Sequence, residues 1–330
     1  MIGLAGVVAG LSLLAASPAH SAYSYSRQFG TNPNGGGQLE VVPFGVAVDG
    51  AGNVFVADRG MGRVSVFDAA GNLVRDIGEG KLSSPIGLAV DGSGNVFVAD
   101  SVDYRISVFD AAGNLLRSFG DSGIGRLNYP FGVALDGAGN VYVSNYYGSS
   151  PVSVFSSSGA FLRTIGTPGG FNAGDGELRQ PFGVTVDGAG NVFVLDHIAD
   201  GRVSVFNAGG SFVRSFFTSS DAMYPRGIAV DAFGRSFVVG ATDSGEDQVV
   251  VYDALGRLIE TFGRGFIDAA GDITLDGAGN VYVTDNANDR VVVFAQSAAV
   301  PEPSSLVMMG LGAVVVAGGA ARSARARRRI

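Results

Sequence analysis

Pro43-Phe44-Gly45-Val46-Ala47-Val48-Asp49-Gly50-Ala51-Gly52-Asn53-Val54-Phe55-Val56-Ala57-Asp58 decides the architecture, because the chain returns to this pattern along most of its length. The Asp ahead of the Gly-rich turn recurs as Asp49, Asp91, Asp136, Asp187, Asp231 and Asp276, at spacings of 42, 45, 51, 44 and 45 residues. Each copy carries short runs rich in Val, Ile, Leu and Phe; in the first these are Gly45 to Val48, Val54 to Ala57, Val64 to Phe67 and Leu73 to Ile77. Asp, Gly and Asn separate the runs, and these residues accept positive φ or bond their own backbone two residues on. A period of 40 to 50 residues with strand-like content predicts the blades of an all-β, six-bladed propeller. Composition agrees: 52 Gly in 330 residues, 46% hydrophobic and 16% charged residues exclude disorder and coiled coil, and there is no three-residue Gly period for collagen.

The sixth copy stops early, with Asp272 to Leu275, Asn280 to Thr284 and Arg290 to Phe294 but no fourth run. Tyr25-Ser26-Arg27-Gln28-Phe29-Gly30 repeats the fourth-run pattern Leu115-Leu116-Arg117-Ser118-Phe119-Gly120, so the N-terminal segment is expected to complete the last blade and close the ring. The quoted units, P-x-G-[IVL]-A-[VL]-D-G-x-G-N-V-[FY]-V, resemble NHL repeats over about residues 25 to 295. The match weakens in the fifth copy, where Arg226 replaces the aromatic, and in the sixth, where Ala270 and Gly271 replace Pro and Phe. The resemblance implies a scaffold used elsewhere for protein or RNA binding, or by lyases and lactonases, so fold alone leaves function open.

Both ends read as addresses. Residues 1 to 26 carry no charge, and the apolar run Ile2 to Ala16 followed by Ser17-Pro18-Ala19-His20-Ser21-Ala22 reads as a signal peptide over 1 to 22, implying signal peptidase as a partner. The propeller domain is expected over 23 to 299. In residues 300 to 330, Pro301-Glu302-Pro303 precedes the uncharged segment Leu306 to Ala321 and then Arg322, Arg325, Arg327, Arg328 and Arg329. This order closely resembles the PEP-CTERM sorting signal of Gram-negative bacteria. The resemblance implies an exosortase that cuts near Pro301-Glu302-Pro303. The apolar segment followed by arginines predicts a transmembrane helix that inserts transiently with its arginines cytoplasmic, and delivery of the protein to the outer surface or extracellular matrix.

In an antiparallel blade the first-to-second and third-to-fourth turns share one face, and the remaining connections share the other. The first face is monotonous; the second carries the length variation and is the expected ligand face. Its individual marks are Met61, Tyr104, Tyr146, Tyr147, His197, Asp200, Tyr224, Asp243, Glu246, Asp247, Asn286 and Asn288. Asp58, Asp100, Asp196 and Asp285 are each answered five or six residues later by Arg63, Arg105, Arg202 and Arg290. The third copy has Asn145 and Pro151 and the fifth Gly240 and Gln248, so acid and base vary together, which predicts structural Asp–Arg loop pairs. Asp272 stands where the other copies have Gly45, Gly87, Gly132, Gly183 and Gly227, and is the one weak metal candidate.

No Cys is present and the chain beyond the signal peptide has one His, so a Cys–His nucleophile or a His-based metal cluster is not expected, and no cofactor is implied. Residues 23 to 300 carry 17 Lys and Arg against 29 Asp and Glu, which opposes binding of a nucleic acid. The expectation is a monomeric, non-enzymatic interaction scaffold for a protein or polysaccharide. The alternative is a metal-assisted lactonase or lyase.

Overall fold

A computed structural model describes residues 23–31, 39, 42–148, 151–170, 174–196, 201–218, 222 and 224–297. The segments read above as signal peptide, sorting signal and membrane helix lie outside the described residues. Among the described residues no helix is long and apolar enough to cross a membrane.

Residues Tyr23–Gln296 form one compact unit built from six four-stranded antiparallel sheets. Blade 1 contains Pro43–Val48, Val54–Asp58, Arg63–Phe67 and Leu73–Ile77, paired in chain order from the inside outwards. Blades 2 to 5 repeat this order. Blade 6 takes Ala270–Leu275, Val281–Asp285 and Arg290–Gln296 from the end of the propeller and Tyr23–Phe29 from its beginning. The closing strand pairs from Tyr23 opposite Gln296 to Phe29 opposite Val291.

Hydrophobic alternation decides what each strand buries. The second and third strands are covered on both faces and read as continuous Val-rich runs, as in Val54–Asp58 and Arg63–Phe67. The outermost strands bury little except their last residue, as with Ile77 and Phe119. The core therefore lies between blades: Phe55, Val64, Val66 and Ile77 of blade 1 pack with Leu88, Val96, Val98 and Phe109 of blade 2, and each neighbouring pair repeats this. The turn Asp is an Asx cap, with Asp49 Oδ1 accepting from the Ala51 and Asn53 backbones at 2.9 and 2.8 Å and Asn53 Nδ2 donating to Asp49 Oδ2 at 2.7 Å.

Two glycine positions are required by space. Inner strands crowd at the axis, where a Cβ on Gly45 or Gly87 would come within 2.3 or 2.1 Å of the next blade's backbone oxygen. The glycine after the outer strand (Gly30, Gly78, Gly120, Gly166, Gly263) has positive φ and leaves room for one apolar side chain. Leu39, Leu82, Leu127, Leu178 and Ile267 fill that room, all buried, so connections of unequal length are anchored alike.

Candidate functional site

The variable face is organised by the Asp–Arg pairs. Asp58, Asp100, Asp196 and Asp285 are fully buried at the ends of second strands, and each meets its Arg across the turn at 3.4, 3.2, 3.2 and 2.6 Å respectively. The pairs reach further than the turn itself. Asp100 Oδ1 accepts from the backbones of Ser83 and Ser84 at 3.0 and 2.9 Å, while Arg105 Nη2 donates to Lys81 O at 2.9 Å. Asp196 holds the Gln180 backbone at 2.8 Å, and Arg202 donates to Gly174 O at 3.0 Å. With Asp268 N on Asp285 Oδ1 at 3.0 Å and Arg290 Nη2 on Phe266 O at 2.8 Å, the pairs of blades 2, 4 and 6 are thus clasps between a turn and the connection arriving from the preceding blade, while Arg63 also meets Asp76 of its own outer strand at 3.2 Å. Burial pushes the Asp100 carboxyl up against the pull of those N–H donors and Arg105. Blade 3 keeps the clasp without charge: Asn145 Oδ1 accepts from Asn128 N at 2.9 Å and Asn145 Nδ2 donates to Pro151 O at 3.1 Å.

Those clasps hold an aromatic run beside the mouth of the central channel. Phe44, Phe131 and Phe182 occupy the same position in blades 1, 3 and 4, with Phe131 ring centroids 5.1 Å from Phe44 and 4.3 Å from Phe182. Tyr146 packs on Phe182 at 4.8 Å and on Tyr147 at 5.1 Å, and Tyr129 closes on Tyr147 at 5.1 Å. Tyr147 is 54% exposed, so the run passes from the channel mouth to solvent. It is preorganised, since Tyr146 N donates to Tyr129 O at 3.1 Å and Asn128 Nδ2 to Tyr147 O at 2.8 Å. Of these rings the sequence singled out Tyr146 and Tyr147. Tyr129 was missed, although it stands before the blade-opening proline as Tyr224 does.

Across the channel the lining is polar. Arg226 replaces the aromatic of blade 5 and Gly271 that of blade 6, where a Cβ would meet Asn286 Oδ1 at 2.7 Å. Beneath them Asp272 lines a channel cavity of about 220 Å³. Its Oδ1 accepts from Ile273 N at 2.9 Å, and the Val46 backbone also bonds it. Inner strands enclose the carboxylate, and what surface it keeps faces the lumen. Burial pushes its pKa up to about 7, against the pull of the Ile273 and Val46 backbones. Among the described residues no three His, Cys, Asp or Glu side chains converge as a metal site, and Asp272 is the one acidic residue lining this cavity.

Asp247 has a structural explanation. Opposite Asp58, Asp100, Asn145, Asp196 and Gly240, blades 1 to 5 have Pro43, Pro85, Pro130, Pro181 and Pro225, which lack an N–H, whereas blade 6 has the fully buried Ala270 opposite Asp285. Asp247 Oδ2 accepts that extra N–H at 2.7 Å, and burial raises the Asp247 carboxyl above its ordinary range. Asp247→Ala should destabilise the protein by ~1–3 kcal/mol through the orphaned donor. In an Ala270→Pro background the same change should cost nothing, and urea denaturation of the double-mutant cycle measures the difference.

The remaining predicted face residues are dispersed. Met61, Tyr104 and Tyr224 are 41%, 40% and 51% exposed on blades 1, 2 and 5, while Asp243 and Glu246 are exposed on the blade 5 turn. Glu246 and Asp247 line a cavity of about 470 Å³ with Asn288, which itself donates to both Asp285 oxygens at 3.0 Å. His197 and Asp200 lie outside the described residues.

The NHL-repeat pattern matches residues 82–109, and the PEP-CTERM protein-sorting motif matches residues 299–329. This is an NHL-type six-bladed propeller with a PEP-CTERM motif. The motif marks an exported, surface-targeted protein and implies processing by an exosortase. Protein brain tumor of Drosophila melanogaster is 26% identical over 133 residues, which is 39% of this chain and 13% of that protein. Virginiamycin B lyase of Staphylococcus aureus superposes with a TM-score of 0.59 at 13% identity, covering 83% of this chain and 99% of that one. A gluconolactonase of Xanthomonas campestris gives 0.63 at 17% identity, covering 78% and 87%. At these identities the NHL-type propeller shares a fold with both enzymes, and the likeness carries nothing about chemistry.

Proposed function

We propose that the protein is a monomeric, non-enzymatic interaction scaffold on the cell surface or in the extracellular matrix, binding a polysaccharide or protein through its variable-loop face. The single observation that carries this is the preorganised aromatic run from Phe44 through Tyr146 to the exposed Tyr147. Tyr offers a rigid apolar ring with a polar edge, suited to the C–H face of a sugar ring or to an apolar side chain, at small entropic cost on binding. The acidic balance of residues 23 to 300 disfavours phosphate polymers. In this reading signal peptidase removes residues 1 to 22, the segment 306 to 321 inserts transiently, and exosortase acts near Pro301-Glu302-Pro303.

Tyr147→Ala should reduce retention on matrix polysaccharide and matrix protein from the native host at least tenfold with only a small fall in melting temperature, because the half-exposed ring gives up its edge contacts with Tyr129 and Tyr146 and no core packing. Equal retention of the variant removes the aromatic run from the binding face. Asp272 favours a second reading, a metal-assisted lactonase or lyase: a carboxyl titrating near neutrality inside a channel is a candidate proton carrier. Metal-dependent lactone opening lost in Asp272→Asn is the outcome that selects it.

A further inference from the structure

The third residue of the outer strand is Arg75, Arg117, Arg163 and Arg214 in blades 1 to 4, and Glu260 in blade 5. The arginines reach forward. Arg75 Nη2 donates to Ala111 O at 2.9 Å, Arg163 Nη2 to Ala208 O at 2.9 Å, and Arg117 to Ser157 O, in each case a carbonyl in the turn before the next blade's outer strand. Blade 6 has no such turn, because its outer strand starts afresh at Tyr23. At that place there is a nitrogen instead of a carbonyl, and Tyr23 N donates to Glu260 Oε1 at 3.1 Å. Donor and acceptor are exchanged where the chain begins its strand.

A carboxylate facing that nitrogen is the acceptor that suits an ammonium. Tyr23 follows Ala19-His20-Ser21-Ala22 and the apolar run Ile2 to Ala16. We propose that the Ala22–Tyr23 peptide bond is the processing site and that Glu260 is the seat of the new α-ammonium, so that removing the leader strengthens ring closure. This rests on the reading of the protein as exported. A leader peptidase adds water across the bond: the C–N bond breaks, Ala22 leaves as a carboxylate, and the Tyr23 nitrogen takes the proton and is protonated further from solvent at neutral pH. The Tyr23 ring is held by Phe262 and Phe237 at 4.6 and 5.6 Å, which fixes the nitrogen over blade 5. The other charges beside the Tyr23 side chain, Arg235 and Asp231, act on its hydroxyl and are themselves paired at 2.6 Å.

A free α-amino group titrates at about 7.7–8.0. Pairing with Glu260 raises that value in the folded state, so the added stability is complete below about pH 7.7 and is lost as pH rises through the higher folded value. Mass spectrometry of the protein exported by its host should give Tyr23 as the first residue. The rate of α-amine acylation against pH should have its midpoint above 8, returning to the ordinary range in Glu260→Gln. The wild-type melting temperature should fall about 2–4 °C further than that of Glu260→Gln between pH 7.5 and pH 10. Should that variant not fold, Nα-acetylated wild type serves as the reference and should lack the extra fall. An exported protein beginning elsewhere, or one amine midpoint for both forms, overturns the proposal and leaves export standing; recovery of the protein only inside the cell, with Met1 intact, overturns export as well.

Discussion

Asp272→Asn is expected to stabilise the protein by up to ~4 kcal/mol at pH 8 and to leave it unchanged at pH 4. The carboxyl moves from 3.8 to about 7 on folding because burial disfavours its charge. At ~1.36 kcal/mol per pH unit this displacement sets the upper bound, and lumen water that screens the charge reduces it. The folded state holds a proton that the unfolded state has lost between pH 3.8 and about 7, so stability falls across that window and is level above it. Asn keeps an oxygen for the Ile273 and Val46 backbones and carries no charge. Urea midpoints measured from pH 4 to pH 8 provide the comparison; a wild type and variant that run parallel across the window show Asp272 to be solvated like a surface carboxylate. If the stabilised variant has also lost binding or turnover, the carboxylate is retained for function at the expense of stability.

Deleting residues 23 to 29 is expected to cost at least ~5 kcal/mol, which is the scale of a whole domain's stability. The strand contributes Tyr23, packed on Phe237 and Phe262, and Phe29, 5.1 Å from Phe67 of blade 1. Removing one buried aromatic side chain alone costs ~3–5 kcal/mol. The deletion also bares the edge of Arg290–Gln296, whose Val291, Val292, Val293 and Phe294 are buried in the intact ring. An unpaired hydrophobic edge recruits another chain, so light scattering should report aggregation below the normal melting temperature. A truncated protein that stays monomeric and melts with the intact one would mean that the ring holds without its closing strand.

The blades and their closure were legible because each local signal agrees with its neighbours: the turn Asp caps the backbone two and four residues on, and Phe29 repeats the buried residue seen as Phe119. The charge clasps were legible as pairs, from Asp100 and Arg105 rising and vanishing together between copies. Their second attachment, to Ser83 and Ser84, was not, since backbone donors carry no sequence mark. The aromatic run escaped for a related reason. Phe44, Phe131 and Phe182 are blade-position equivalents up to three blades apart, and only ring geometry brings them to Tyr146. Two departures were readable in hindsight: Ala270 for proline required an acceptor, found in Asp247, and Glu260 for arginine required a donor, found at Tyr23.

The closing pair, Tyr23 opposite Gln296, has a mechanical consequence. Both exits of the chain from the propeller, at Tyr23 and Gln296, lie at one corner of blade 6. Tension applied between those exits would load the last pair of strands as a zipper, opening the bonds one at a time from Tyr23 towards Phe29. Tension applied between Gln296 and a ligand on the loop face bypasses that seam and is carried through the blades. A load on Tyr23 and Gln296 together therefore meets the ring at its weakest seam.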